Sequence, residues 1–517
     1  MKTQPTDSRP VHLTSSSLLA RNATLNLLAE AWIFLILLAA MPRLVTFLGE
    51  TSFGLFSLAW VVIGYLAFLD VGVNRAATKF VSEHLAEQDQ GSTQLIVRAA
   101  LTANLVLGLA GGLAVILASP YLIHSIFKVS ADLQLQAHLT FYAVALAVPV
   151  LLLQGILRAV LSSYQRFAWI NTVNAVTTTA QWGAAAFLAW KGHGVALVVV
   201  SMVVARVFTV AAYGAVLLRL LPDLRLFPPH SLKALPKLLR FGSWVTVSQL
   251  VSPLLVYLDR VLIASFVSLA AVTLYTVPYE VMTRLRVIPA SLANTLYPAF
   301  SERGMDGQQA QLQWLYQRSL RYLLILILPA VLYLLVFGTD LLSLWMGAPF
   351  AHQTTGILQI LALGALANSL AYVPYNALQA LGRPDLTGKF HLLELPLYVL
   401  LCTTLIPRWG IAGAALASSI RFAVDAGLLF WAAQRYCACS LRSVFKQILP
   451  ISVSSLVLGA AMLAAQFLFS SNWVRLGAGL LAVVLYFLAC WLFVLGDRER
   501  PAIARVLGVF RHQPAAP

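Results

Sequence analysis

Basic residues fall on alternate loops between about fourteen apolar stretches, and that alternation limits what this chain can fold into. Apolar runs of roughly 20 residues are long enough to cross a bilayer as helices. They lie at 25–48, 53–75, 95–118, 138–160, 168–189, 195–217, 242–264, 269–292, 320–338, 355–380, 389–406, 411–433, 447–469 and 474–495. Of the 35 Lys+Arg, about 27 sit at the N-terminus, in the turns after even-numbered spans, or at the C-terminus. Lys128, Lys191, Arg408 and Arg475 occupy the opposite loops, and Arg43, Arg206, Arg260 and Arg421 fall inside spans. A missed span would exchange the sides of every later loop and erase the asymmetry. Count and orientation thus support each other, with both termini expected in the cytoplasm.

Composition agrees. The chain is 60% hydrophobic and only 10% charged, outside the range of a soluble domain of 517 residues. Its net charge of +16 would suggest nucleic acid in a soluble protein. Here the charge is topological and faces anionic lipid headgroups, so no nucleic-acid partner is expected. The polar start, residues 1–22, has no apolar core followed by a small-residue cleavage site, so no removable signal peptide is expected. Cys402 and Cys490 lie within spans, and Cys437-Ala-Cys439 has neither zinc nor redox spacing. No metal and no cofactor are expected.

Enzyme chemistry is disfavoured. The longest non-cytoplasmic loop, 119–136, carries little beyond His124, Lys128 and Asp132. A membrane glycosyltransferase or polymerase needs a loop with carboxylates for metal or acid–base work. No Asp lies two positions from another, and His-Glu-x-x-His is absent. The stretch Gly382-Arg-Pro-Asp-Leu-Thr-Gly388-Lys389-Phe390 is one residue too long for a phosphate-binding loop and lacks the Ser/Thr after Lys. It reads as a cytoplasmic turn.

The chain echoes itself. Gln154-x-x-x-Arg158 ends span 4, and Gln379-x-x-x-Arg383 ends span 10. Gly194-Val-Ala-Leu197 opens span 6, and Gly413-Ala-Ala-Leu416 lies in span 12. Arg43 and Arg260 are offset by about 217 residues, Arg206 and Arg421 by about 215. An even number of spans per unit makes the repeat parallel. The expected fold is therefore all-α: a polytopic membrane protein with about 14 transmembrane helices, two six-helix lobes in parallel pseudo-repeat, and two extra C-terminal helices. The expected parts are a cytoplasmic tail (1–22), an N-lobe (23–220), a cytoplasmic linker (221–240), a C-lobe (241–436), and a final helix pair with a cytoplasmic tail (437–517). Pro222, Pro228, Pro229 and Pro236 forbid one continuous helix in the linker.

Charges inside spans point to a polar interior. A lone charge at the bilayer centre costs roughly 2.5–3.5 kcal/mol, so it pairs within the protein or faces water. Glu280 with Arg284 and Arg421 with Asp425 are four apart and can pair along one helix. Glu30, Arg43, Asp70 and Arg206 have no opposite charge at helical spacing. Arg260 has only Asp259, whose position points it elsewhere on the helix. Arg43, Arg260, Arg206, Arg284 and Arg421 are the candidates to line a cationic cavity, because guanidinium binds phosphate bidentately. Arg43 and Arg260 are the leading pair. Asp70 and Glu30 are candidates for ion coupling; the competing role is a fixed pair with Arg21 or Arg206.

PRLVTFLGETSFGLFSLAW (42–60) and LAFLDVGVNRAATKFVSEH (66–84) resemble the N-terminal signature of bacterial polysaccharide-transporter flippases. These form the Wzx-type branch of the multidrug/oligosaccharidyl-lipid/polysaccharide exporter superfamily. NALQALGRPDLTGK (376–389) and RWGIAGAALASSIR (408–421) resemble its second half. The resemblance implies a carrier of oligosaccharide on an undecaprenyl diphosphate anchor, moved from the inner to the outer leaflet of the bacterial cytoplasmic membrane. It implies alternating access, ion coupling and no enzymatic activity. The implied partners are the lipid-linked oligosaccharide and membrane lipids, with a polysaccharide polymerase and chain-length proteins as further candidates. Competing readings are a lipid II flippase and a cation-coupled multidrug exporter of the same superfamily.

Overall fold

The computed structural model describes residues 16–70, 72–222, 224, 235–292, 300, 309–436 and 441–494. Most of the expected linker and both tail ends lie outside these residues. So do Cys437, Cys439 and the side chains of Arg21, Asn22, Asn26, Glu30 and Gln249. Of the two ion-coupling candidates, only Asp70 therefore has a described side chain.

The described residues form helices and no strand. The chain divides into two compact units, Met1–Thr273 and Leu274–Pro517. Unit 1 contains α1 (Ser16–Leu48), α2 (Glu50–Leu66), α3 (Val73–Ala86), α4 (Gln90–Tyr121), α5 (Gln134–Ser163), α6 (Phe167–Trp190), α7 (Val195–Leu220) and α8 (Leu235–Phe266). The division falls inside α9 (Leu269–Arg284). Unit 2 continues with α10 (Gln309–Met346), α11 (Ala348–Ala380), α12 (Pro384–Tyr436), α13 (Leu441–Leu468) and α14 (Asn472–Ala489). Each of the fourteen apolar segments read from the sequence coincides with helix, as the all-α multi-pass fold requires.

Local chemistry explains the departures from one helix per segment. The second segment breaks at a short 3-10 turn, Ala67–Asp70, and Gly72 adopts φ 71°. That left-handed geometry favours glycine, and α3 then starts in a new direction. The eleventh and twelfth segments run together as α12, broken only at Gly410 (φ 57°, ψ −133°). Asp89 starts α4 by accepting the Ser92 backbone N–H at 2.9 Å, and the Ser92 side chain together with that N–H holds its carboxyl below the usual range.

Ten helical stretches among the described residues are long and apolar enough to cross a membrane. One of them, Asp385–Tyr436, holds two segments. The helices α6, α8 and α9 fall outside the ten. α6 carries Asn171, Asn174, three consecutive threonines and Gln181, α9 has only 16 residues, and α8 has described side chains over only part of its length. Polar residues on spanning helices are tolerated where they face protein or water rather than lipid.

Packing follows from small residues and buried apolar faces. Gly108 and Gly112 let α4 approach α5: a Cβ at Gly108 would meet Pro149 Cα at 2.5 Å, and one at Gly112 the Ala145 carbonyl oxygen at 2.5 Å. The core of unit 1 joins Val73, Ala77, Val97, Ile156, Val160 and Leu217 from α3, α4, α5 and α7. In unit 2, Ile327, Val331, Ala351 and Leu358 seal α10 against α11. Arg475 bonds Asp340 at 3.2 Å, and the Tyr333 hydroxyl donates to the Leu476 carbonyl at 3.1 Å, fixing α14 to α10. Large apolar side chains stay exposed along α4, α7, α13 and α14, including Leu117, Phe208, Phe467 and Trp473. Water would penalise that surface and a lipid solvent does not.

Candidate functional site

Unit 1 holds an arginine in neutral company. Arg206, on α7, donates from Nη1 to Gln154 Oε1 of α5 at 3.2 Å. Its guanidinium lies 5.1 Å from the Trp60 ring centroid on α2. Trp60 and Trp182 of α6 stand 6.1 Å apart, and Phe56 packs 6.2 Å from each. The aromatic faces supply negative quadrupole without a formal charge. Among the described residues no carboxylate pairs with Arg206. The Gln-x-x-x-Arg motif thus supplies the amide that holds an arginine from another helix.

The remaining unit 1 candidates differ. Arg43 is exposed on α1, and its Nη1 reaches the Ala39 carbonyl at 3.3 Å. Among the described residues it has no carboxylate partner. Arg260 is 3% exposed, and its Nη1 lies 3.7 Å from Asp259 Oδ1 and 3.0 Å from the Val256 carbonyl. The expectation that Asp259 points away is therefore corrected. Adjacent Cα–Cβ vectors diverge on a helix, but the arginine stem is long enough to bend back. Arg43 and Arg260 match in sequence offset and not in environment.

Asp70 is buried and accepts the Gly72 backbone N–H at 3.0 Å. Among the described residues it does not pair with Arg206, which bonds Gln154 instead. This corrects the fixed-pair reading for that partner. Asp70 instead caps the break between α2 and α3.

Unit 2 places its arginines against carboxylates. Glu280 and Arg284 pair along α9 at 3.4 Å, as their spacing predicts. Arg421 does not form its short contact with Asp425, one turn on. Its Nη1 lies 3.5 Å from Glu394 Oε2, on the other arm of α12. Tyr398 and Phe422 rings stand 5.1 and 4.3 Å from its guanidinium. Side-chain donor atoms of His391, Glu394 and Asp425 all lie within 4.8 Å of one another. One His and two carboxylates thus converge, a set that the expectation of no metal did not foresee. A second polar chain adjoins them, where Tyr275 and Tyr398 hydroxyls contact Ser418 Oγ at 3.1 and 3.0 Å.

Sequence reasoning missed Glu394 and His391. The signal was a glutamate five residues into a span, three after a histidine. Searching only for partners along one helix concealed it.

Known proteins resemble this chain over most of its length. The family model described as "Polysaccharide biosynthesis protein" matches residues 19–303. A Shigella flexneri protein named "Putative O-antigen transporter" is 28% identical over 81% of this chain and 98% of its own length. A Haloferax volcanii protein, a probable low-salt glycan biosynthesis flippase, is 22% identical over 82% of this chain and 85% of its own. Among solved structures, the lipid II flippase MurJ in its inward closed conformation superposes with TM-score 0.70 at 14% identity, covering 93% of this chain and 99% of that one. An inward-facing multidrug transporter of the MATE family superposes with TM-score 0.65 at 15% identity, over 78% and 95%. At such identities the two solved structures speak for the fold. With more than half its length matched by the family model, the chain belongs to the polysaccharide biosynthesis protein family.

Proposed function

We propose that this protein is a flippase, not an enzyme, and moves oligosaccharide linked to undecaprenyl diphosphate across the bacterial cytoplasmic membrane. The cargo feeds synthesis of a surface polysaccharide such as O-antigen, capsule or exopolysaccharide. The observation that carries this reading is the 28% identity to the Shigella flexneri relative, matched over 98% of that protein. The mechanism proposed is alternating access of two lobes, with both termini in the cytoplasm. A polymerase and chain-length proteins would act on the delivered cargo.

The chemistry assigned to the arginines follows their surroundings. A diphosphate brings anionic oxygens into a low-dielectric region, and guanidinium pairs with them bidentately. An arginine already facing a carboxylate must release it first. Arg206 faces only an amide and aromatic rings, and Arg43 only a backbone carbonyl. These two are therefore the proposed cargo contacts. Arg260, Arg284 and Arg421 hold carboxylates and are assigned to the scaffold before cargo contact.

The test is deletion of the gene, with complementation and analysis of surface glycans. The reading expects loss of one surface polysaccharide and accumulation of its lipid-linked unit inside. Loss of peptidoglycan precursor transport instead would favour the lipid II reading, which the TM-score of 0.70 makes the specific competitor. Unchanged glycans and unchanged peptidoglycan would refute both. Reporter fusions after Gly49 and Lys191 are expected outside, and a fusion after His230 inside.

A further inference from the structure

Charge counting singles out the cluster on the two arms of α12. Glu394 contributes a carboxylate whose side chain is fully buried. Neither of its oxygens has a hydrogen-bond partner, although both acceptors lie beside polar groups. Asp425 is 9% exposed and contributes a second carboxylate. Arg421 contributes one positive charge, 3.5 Å from Glu394. With both acids ionised and His391 neutral, the cluster carries one net negative charge away from water. Such a charge is strongly disfavoured unless something neutralises it.

The surroundings supply no further charge among the described residues. Tyr398 lies beside Arg421, and its hydroxyl and that of Tyr275 on α9 both contact Ser418 Oγ. From α11, Ala367, Ala371 and Leu378 pack beside Phe390 and Ala426 and bring no ionisable group. The groups whose charges act on the acids are His391, Arg421 and the acids themselves.

We propose that Glu394 and Asp425 together hold one exchangeable proton, with His391 passing it in and out and Arg421 balancing the charge that remains. Two carboxyl groups this close share a proton because both cannot stay ionised without a second cation. His391 is half-buried while Glu394 is sealed, so the ring connects the acids to the outside. The transfer is a simple acid–base step. Imidazolium N–H gives its proton to a carboxylate oxygen, leaving neutral His391 and a carboxyl group. A hard metal ion fits less well: it takes six to eight oxygen ligands, and the guanidinium of Arg421 already stands against Glu394. Both acids lie about 15 Å along α12 from its ends at Pro384 and Tyr436, at roughly 1.5 Å per residue, so the two arms present them at one depth. Sequence reading sought an ion site at Asp70, whose oxygen is committed to a backbone N–H; this cluster has none so committed at Glu394.

The test is infrared difference spectroscopy on the full-length protein in lipid nanodiscs, between neutral and alkaline pH. Wild type is expected to show the carbonyl stretch of one protonated buried carboxyl, lost as the pH rises. Glu394→Gln and Asp425→Asn each leave one acid facing Arg421, a neutral pair, so both should fold and both should lose the band. If either fails to fold, His391→Ala decides: the band should remain, with hydrogen–deuterium exchange at least about tenfold slower. Three results would overturn the inference. They are a folded wild type without the band at any pH, a band that survives both single variants, and a thermal midpoint that rises with Na⁺ in a protein lacking the band.

Discussion

Arg206 and Arg421 are offset by about 215 residues, as the sequence repeat expects of counterparts, yet the protein surrounds them differently. Arg206 meets Gln154 and an aromatic cluster of Trp60, Phe56 and Trp182. Arg421 meets Glu394, with Asp425 and His391 close by. The two arginines thus share a sequence offset while their partners differ. A guanidinium among neutral groups keeps its charge available to an incoming anion. One against a carboxylate is already compensated, and its pair can respond only by exchanging a proton or a partner.

That contrast predicts unequal costs of mutation. The largest effect is expected for Arg421→Ala, which strands two buried acids. Removing one partner of a buried pair costs about 3–5 kcal/mol. Detergent-solubilised protein should show a sharp drop in thermal midpoint, and adding Glu394→Gln should recover most of it. A single variant as stable as wild type would break the comparison. Arg206→Ala strands no charge and should lose about 1–2 kcal/mol from a hydrogen bond and a cation–π contact. Its main effect is expected on glycan export at unchanged protein level, with Arg206→Lys only partly rescuing because lysine lacks the planar fork.

Smaller effects sharpen the same distinction. Asp70→Asn keeps an oxygen for the Gly72 N–H and should shift stability by less than about 1 kcal/mol. A collapse of folded protein there would reveal a charge partner that the turn geometry does not require. Glu280→Gln breaks a half-exposed pair and should cost only about 0.3–0.5 kcal/mol, measured by the same melting assay.

Much of this was legible in the sequence. Hydropathy and loop charge set the fourteen helices because lipid leaves few alternatives to spanning helix. Gly108 and Gly112 have the Gly-x-x-x-Gly spacing of close helix packing, although spacing does not name α5 as the partner. Partners across space were harder. Arg421 and Asp425 satisfy the one-turn rule, but the 3.5 Å contact comes from Glu394 across the break at Gly410. The choice between an acid one turn away and one on a neighbouring arm depends on rotamers and packing, which spacing does not encode. Asp259 shows the converse: an adjacent residue on a helix can pair when a long stem folds back. The aromatic setting of Arg206 was also hidden, because its rings come from two other helices.

The central claim is that the uncompensated arginine, not the compensated one, receives the anionic cargo headgroup. It is tested most directly by measuring binding of a short-chain polyprenyl diphosphate to purified full-length protein in nanodiscs. The variants to compare are Arg206→Ala and the charge-balanced double Arg421→Ala with Glu394→Gln. Loss of one charged hydrogen-bonding contact, about 1.5–3 kcal/mol, predicts roughly 10- to 100-fold weaker binding for Arg206→Ala. The folded double variant should bind within about twofold of wild type on the same scale. Weak binding by the double variant with wild-type binding by Arg206→Ala would contradict the account.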